Sequence, residues 1–290
     1  MPTPTPPDAP VGTRATVPAR RYWALALVGA AGGLLSGAFG VGGGILMVPL
    51  LIVAAGMDQR RATATSLAAI VPASIAGSIT YLANGQVDLV AALFMALGGI
   101  IGSWVGAWLL RRLPITWLRW MFIALLVLVA VRMLLVVPER GGGHVGFDLL
   151  PNLALFAIGI VVGVASGLFG IGGGTIMVPA FIAFFGMGDL MAKGTSLAVM
   201  IPTAISGTVS NTRAKLVDLR EALVVGIAAT VASFAGVAVA FLLSPEWSAR
   251  LFAAFIVIAA AQLAVRAVRA QRRSSADAAP RPEDPDRADG

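Results

Sequence analysis

Residues 33–52, GLLSGAFGVGGGILMVPLLI, return 130 positions later as residues 163–182, GVASGLFGIGGGTIMVPAFI. Twelve of the twenty aligned positions are identical, among them Ser36/Ser166, Phe39/Phe169, the triplets Gly42-Gly43-Gly44 and Gly172-Gly173-Gly174, and Pro49/Pro179. The offset then holds without a gap. Thr65-Ser66-Leu67-Ala68 aligns with Thr195-Ser196-Leu197-Ala198, Pro72 with Pro202, Gly77 with Gly207 and Trp117 with Trp247. A duplicated apolar chain with a Gly-interrupted segment in each half is how many secondary transporters are built, with the site where the halves meet.

The surrounding composition agrees. Of 290 residues, 58% are hydrophobic and 12% charged, too little polar surface for a soluble chain of this length, so the sequence reads as an all-α polytopic membrane protein. The net charge of +7 does not point to nucleic acid, because the arginines sit at the ends of apolar runs, where they act as topology signals. The chain has no Cys and a single His, His144 in a loop, which leaves no thiol chemistry, no His/Cys metal cage and no expected cofactor.

Five regions are expected: a disordered N-terminal tail (1–21), a first transmembrane repeat (22–137), a connecting loop (138–150), a second repeat (151–268) and a disordered C-terminal tail (269–290). Both tails are rich in Pro and lack a hydrophobic period. The first apolar run has the look of a signal peptide behind Arg20 and Arg21. Its alignment with 154–170 argues for a structural segment that is expected to be retained.

Apolar segments fall at about 22–56, 62–83, 88–110, 117–137, 150–186, 192–211, 218–242 and 247–267. Six have the length of one span of a hydrocarbon core about 30 Å thick. The first and fifth are too long, and each is broken by its Gly triplet, where every glycine costs a helix about 1 kcal/mol relative to Ala. If each broken segment crosses once, eleven basic residues lie on one side and seven on the other. If each folds back as a re-entrant hairpin, fifteen lie on the cytoplasmic side and three outside (Arg140, Lys193 and Arg250). The positive-inside rule selects the hairpins. Each repeat is then a hairpin plus three spans, the two repeats enter the membrane from opposite sides as inverted repeats, and both termini are cytoplasmic.

A half-helix starting after Gly42-Gly43-Gly44, and another after Gly172-Gly173-Gly174, would present free N–H groups and the positive end of a dipole to an anion. The flanking Gly33/Gly37 and Gly163/Gly167 read instead as small-residue packing surfaces. Ser36 and Ser166 either donate to a ligand or bond their own helix backbone. Thr65-Ser66 and Thr195-Ser196, near the start of a span, either cap it or reach the same cavity. Pro72 and Pro202 are placed to kink their spans. Lys193, aligned with Thr63, could bring one positive charge to the mouth of the site. Arg132 either snorkels to the interface or attracts an anion. Asp88 and Asp218 fall at helix starts, where they suit the dipole, and Trp23, Trp117, Trp120 and Trp247 flank spans as interfacial anchors.

The paired S-G-x-F-G-[VI]-G-G-G-x-x-[ML]-V-P motifs, each followed by a T-S-L-A segment, resemble the sulfite exporter TauE/SafE family, over about residues 22–268. The resemblance implies a bacterial inner-membrane carrier, an exporter, for sulfur-containing anions such as sulfite and organosulfonates, sulfoacetate among them. It implies a site around Ser36, Gly42, Gly43, Gly44, Thr65 and Ser66 with their partners Ser166, Gly172, Gly173, Gly174, Thr195 and Ser196. The expected partners are a small anionic substrate and the lipid bilayer, with no nucleic acid; a homodimer is compatible with the sequence but not demanded by it. The leading function is alternating access of the two repeats around a midplane site. Alternatives are an anion channel on the same scaffold or a carrier of a non-sulfur organic anion. A membrane-embedded enzyme would need a nucleophile–base pair or a metal cluster, and a nucleotide-driven pump would need a G-x-x-x-x-G-K-[ST] loop; neither pattern is present.

Overall fold

The computed structural model describes residues 19–114 and 148–248 without a break, Gly146, and parts of 116–131 and 250–268. Arg132 and the two tails beyond residues 19 and 268 lie outside the described residues, as does most of the connecting loop. Eight helices are complete: α1 (Ala19–Phe39), α2 (Gly44–Ala54), α3 (Gln59–Ala83), α4 (Leu89–Arg112), α5 (Leu149–Phe169), α6 (Gly174–Phe185), α7 (Asp189–Arg213) and α8 (Leu219–Leu242). Further helical residues occur within 116–131 and 245–268. No strand occurs among the described residues.

Both Gly triplets break their segments. Gly43 and Gly173 stand at the N-caps of α2 and α6 with φ of 67° and 85°, a left-handed conformation that L side chains seldom adopt. The chain then reverses. Leu51 and Met57, at the far end of α2, join a buried cluster with Leu25 and Val28 of α1, and the Met47 side chain covers Gly32. The half-helix of 11 residues, about 16 Å long, thus runs back along α1 to the level of its start. α5 and α6 repeat the arrangement, with Gly173 set against Val162 and Ser166 of α5.

The repeats interlock by exchange. Gly29, Gly33 and Gly37 of α1 lie on the backbone of α8 at Val225, Ala229 and Ser233. Gly159, Gly163 and Gly167 of α5 lie on α4 at Met95, Gly99 and Ser103, the aligned positions. Both contacts advance in step along the two chains, so each pair runs parallel. A methyl group at any of these glycines would collide with a carbonyl of the facing helix, which confirms the packing role of the small-residue stripes. α3 and α7 cross antiparallel at the centre, Gly77 against Leu197 and Gly207 against Leu67.

Asp58, Asp88 and Asp218 start α3, α4 and α8, each accepting two backbone N–H bonds at the N-cap. α3 thus begins at Gln59 and α7, after Gly188, at Asp189, so the hydroxyls of Thr65 and Thr195 do not cap them. At one end of the molecule Arg60 Nη2 donates to Leu113 O (3.1 Å), Arg111 Nη1 to Ser210 Oγ (3.2 Å), and Arg61 approaches Glu221 (3.7 Å). This end thus collects the starts of α3 and α8 and the ends of α4 and α7. Among the described residues, five helices (α1, α3, α4, α5 and α8) are long and apolar enough to cross a membrane. α4 exposes Leu93, Leu97, Ile101, Trp104 and Trp108, a continuous apolar strip suited to lipid. Trp23, Trp117, Trp120 and Trp247 are all exposed, as interfacial anchors require.

Candidate functional site at two facing glycine loops

The loops at residues 40–44 and 170–174 meet each other. A side chain at Gly44 would strike the Gly170 carbonyl, and one at Gly174 the Gly40 carbonyl. A Cβ on Gly42 would stand 3.0 Å from the Ile171 carbonyl oxygen. The contact is reciprocal, and the hydroxyls on α3 and α7 fasten it. Ser66 Oγ donates to Gly170 O (2.9 Å), and Ser196 Oγ donates to Gly40 O. The two glycine loops, with Ser66 and Ser196, therefore form one constellation built from both halves.

Inside it, α2 and α6 begin with no side-chain cap on Gly43 or Gly173. The first intrahelical bonds run from Leu46 and Met47 N–H to Gly43 O and from Ile176 and Met177 N–H to Gly173 O. The N–H groups of Gly44 and Ile45, and of Gly174 and Thr175, precede those bonds and have no intrahelical acceptor. Two helix N-termini, each carrying roughly half a positive charge, so lie at one buried locus. Ser36 and Ser166 are fully buried, and their hydroxyls bond neither their own backbone nor any other described group. Unpartnered buried hydroxyls are costly and need a reason. Ser166 is also adjacent to the α6 cap: its Cβ is 3.4 Å from where a Gly173 side chain would begin.

The other predicted residues take definite places. Thr195 Oγ1 accepts from Asp88 N–H (2.9 Å), tying α7 to the start of α4. Thr65 is buried beside Ser66. The Lys193 backbone abuts Gly40, but its ammonium turns to Asp189 Oδ2 and Ser248 Oγ, both at 2.7 Å. The charge that Lys193 brings is thus compensated within the fold.

Four residues were not singled out from sequence. Thr175 and Thr63 are buried with unpartnered hydroxyls, Thr175 in the first turn of α6 and Thr63 with its carbonyl against Gly170. The position of Thr175 directly after the Gly172–Gly174 triplet was the available signal. Ile70 and Met200, aligned with each other and fully buried, both touch the space over Gly42 and Gly172 and plug the locus. Their apolar identity gave no clue to this.

The family model described as "Sulfite exporter TauE/SafE" matches residues 6–133 and again 155–287, one match in each half. The chain is similar to a protein named probable membrane transporter protein YunE in Bacillus subtilis (strain 168). The two are 27% identical over 210 residues, 64% of this chain and 77% of the relative. It is also similar to a probable membrane transporter protein of Xylella fastidiosa (strain 9a5c), 32% identical over 196 residues, 66% of this chain and 73% of the relative. A shorter likeness, 32% over 117 residues, links it to the probable membrane transporter protein MamO of Paramagnetospirillum magneticum, of which it covers 18%. No solved structure matches the chain. The doubled match and the paired glycine loops agree: the chain belongs to the sulfite exporter TauE/SafE family of membrane transporters.

Proposed function

We propose that the protein is a secondary transporter that exports small sulfur-containing anions, such as sulfite or organosulfonates, across the bacterial inner membrane. Alternating access takes place around the paired glycine loops, with both termini cytoplasmic. The observation that carries this reading is the meeting of two uncapped helix N-termini at one buried locus, with Ser166 against the α6 cap and the hydroxyls of Ser36 and Ser166 buried without a described partner. Free N–H groups, converging dipoles and neutral hydroxyl donors together favour a compact oxyanion over a cation or a neutral solute.

Helix directions support inverted repeats. α1 runs parallel to α8, α8 parallel to α3, α3 antiparallel to α7, and α7 parallel to α4 and hence to α5. By that chain α1 and α5, the first helices of the two repeats, run oppositely. The gathering of Arg60, Arg61, Arg111, Arg213, Lys215 and Arg220 at the end where α3 and α8 begin supports a cytoplasmic assignment for that end. Gly42–Gly44 and Gly172–Gly174 are buried under Ile70 and Met200, which supports a gated carrier over an open pore.

Counterflow in proteoliposomes tests the reading. Labelled sulfoacetate or sulfite should exchange saturably against the same anion, while a neutral solute and a cation should not. Replacing Gly43 or Gly173 by Val should abolish the exchange. Flux of a neutral solute or a cation without anion exchange would overturn it.

A further inference from the structure

The end where α3 and α8 begin carries an open cavity of about 580 Å³ lined by Arg61 and by residues 215–220. Three cations line it: Arg61, Lys215 and Arg220. The carboxylate in its wall, Asp218, is engaged as the cap of α8, accepting from the N–H groups of Arg220 and Glu221. Arg61 is partly compensated by Glu221 at 3.7 Å. Positive charge therefore predominates.

None of the three cations has a basic counterpart in the other repeat, where Met191, Gly85 and Val90 occupy the aligned positions. Lys215 is the telling one. Its φ of 57° makes it the non-glycine residue in the left-handed region among those described, and its counterpart Gly85 has a φ of 68°. The same turn is thus built twice, once with the residue that suits it and once with a lysine held against its backbone preference. Strain of this kind persists where a side chain is needed in place. A topology signal would be satisfied by a lysine anywhere in the loop. The helix that walls the cavity also reaches the carrier site: on α3, Arg61 stands two residues before Thr63, whose carbonyl abuts Gly170.

We propose that this cavity is a capture vestibule for oxyanions of the sulfonate or sulfite class. It loads the glycine-loop site from the end where α3 and α8 begin, and so gives the carrier a higher apparent affinity at that end than at the other. This rests on the anion-carrier reading above. Fixed charges around a cleft concentrate counter-ions there, and the effect decays with salt over a screening length of about 8 Å at physiological strength. A lipid headgroup phosphate shares the recognition chemistry, and the test separates the two.

The chain has no native cysteine, so a single Val217→Cys in the full-length protein, reconstituted in phosphatidylcholine vesicles, reports on the cavity. An anionic methanethiosulfonate (sulfonatoethyl) should label it at least several-fold faster than a cationic one (trimethylammonioethyl). The preference should fall to near unity when Arg61→Gln, Lys215→Gly and Arg220→Gln are combined, and millimolar sulfoacetate should slow the anionic reagent. In inside-out and right-side-out membrane vesicles, the same three substitutions in the cysteine-free chain should raise the apparent KM for sulfoacetate about 3- to 10-fold from the vestibule face. The maximal rate and the KM from the opposite face should stay within twofold. Equal labelling by both reagents, or an unchanged KM, would overturn the proposal. Slower anionic labelling of the Val217→Cys protein on adding phosphatidylglycerol, lost in the triple variant, would assign the cavity to a headgroup and overturn the free-anion assignment. Labelling reads the vestibule independently of transport. No preference alongside saturable exchange would overturn the vestibule and keep the carrier; a preference without exchange would sink the carrier reading and with it the loading role.

Discussion

The two repeats share their architecture and differ in their charges. Every element that builds the loops and brings them together is present twice: the Gly triplets, Ser36/Ser166, Thr65/Thr195, Ser66/Ser196 and the caps Asp88/Asp218. The charges behind those elements are not. At the start of α7, Asp189, Lys193 and Ser248 form a buried charged cluster, whereas the aligned Gln59, Thr63 and Leu118 are neutral. At the start of α8, Glu221 meets Arg61, where the aligned pair is Ala91 and Met191. Duplicated residues build what must be symmetric, a site shared by both halves. The singular charged clusters sit at the two ends, where the surroundings differ.

Breaking the singular cluster gives the largest expected effect. Lys193→Met leaves Asp189 buried at 4% side-chain exposure without its partner and should destabilise the protein by about 3–5 kcal/mol. Installing the first repeat's solution, Asp189→Gln with Lys193→Thr, should recover most of that loss in detergent melting curves. A double variant as unstable as the single one would show that something other than charge compensation holds this end.

A smaller effect separates packing glycines from turn glycines. Gly163→Ala drives a methyl into the Gly99 carbonyl and should cost about 1–3 kcal/mol. Gly56→Ala meets nothing within 4 Å and should lose only the left-handed preference, about 1 kcal/mol. Equal losses would mean that the α4–α5 contact tolerates separation.

The smallest stability effect sharpens the shared site. Ser36→Ala and Ser166→Ala remove hydroxyls that bond no described group, so melting should be unchanged or slightly improved. Each should nevertheless raise the apparent KM for the transported anion about tenfold, the loss of roughly one hydrogen bond to a charged ligand. A fall in stability with unchanged KM would make both serines structural.

Much of this was legible because the repeat supplied a control for each position. A Gly triplet alone is ambiguous, but two at a constant offset, with loop arginines that sort only under the hairpin arrangement, specify the reversals seen in α2 and α6. Helix starts were read less well. The apolar runs begin at 62 and 192, while α3 and α7 begin at Gln59 and Asp189 because Asp58 and Gly188 set the caps. That shift moved Thr65 and Ser66 from cap positions to inward contacts. The spacing of Asp189 and Lys193, four residues apart, offered an ion pair. Its burial depended on Ser248, more than fifty residues away, and on packing that no local pattern encodes. The reciprocal bonds from Ser66 to Gly170 and from Ser196 to Gly40 are likewise properties of the assembled repeats.

The central claim is that the two hairpins enter the membrane from opposite sides and meet through their glycine loops. Gly56 and Gly186 close the aligned hairpins, are exposed and have open space around them. Single cysteines placed there by Gly56→Cys and Gly186→Cys, in a chain with no native cysteine, should react with a membrane-impermeant maleimide from opposite faces, Gly56→Cys from the cytoplasmic face. Labelling of both from the same face would contradict the account.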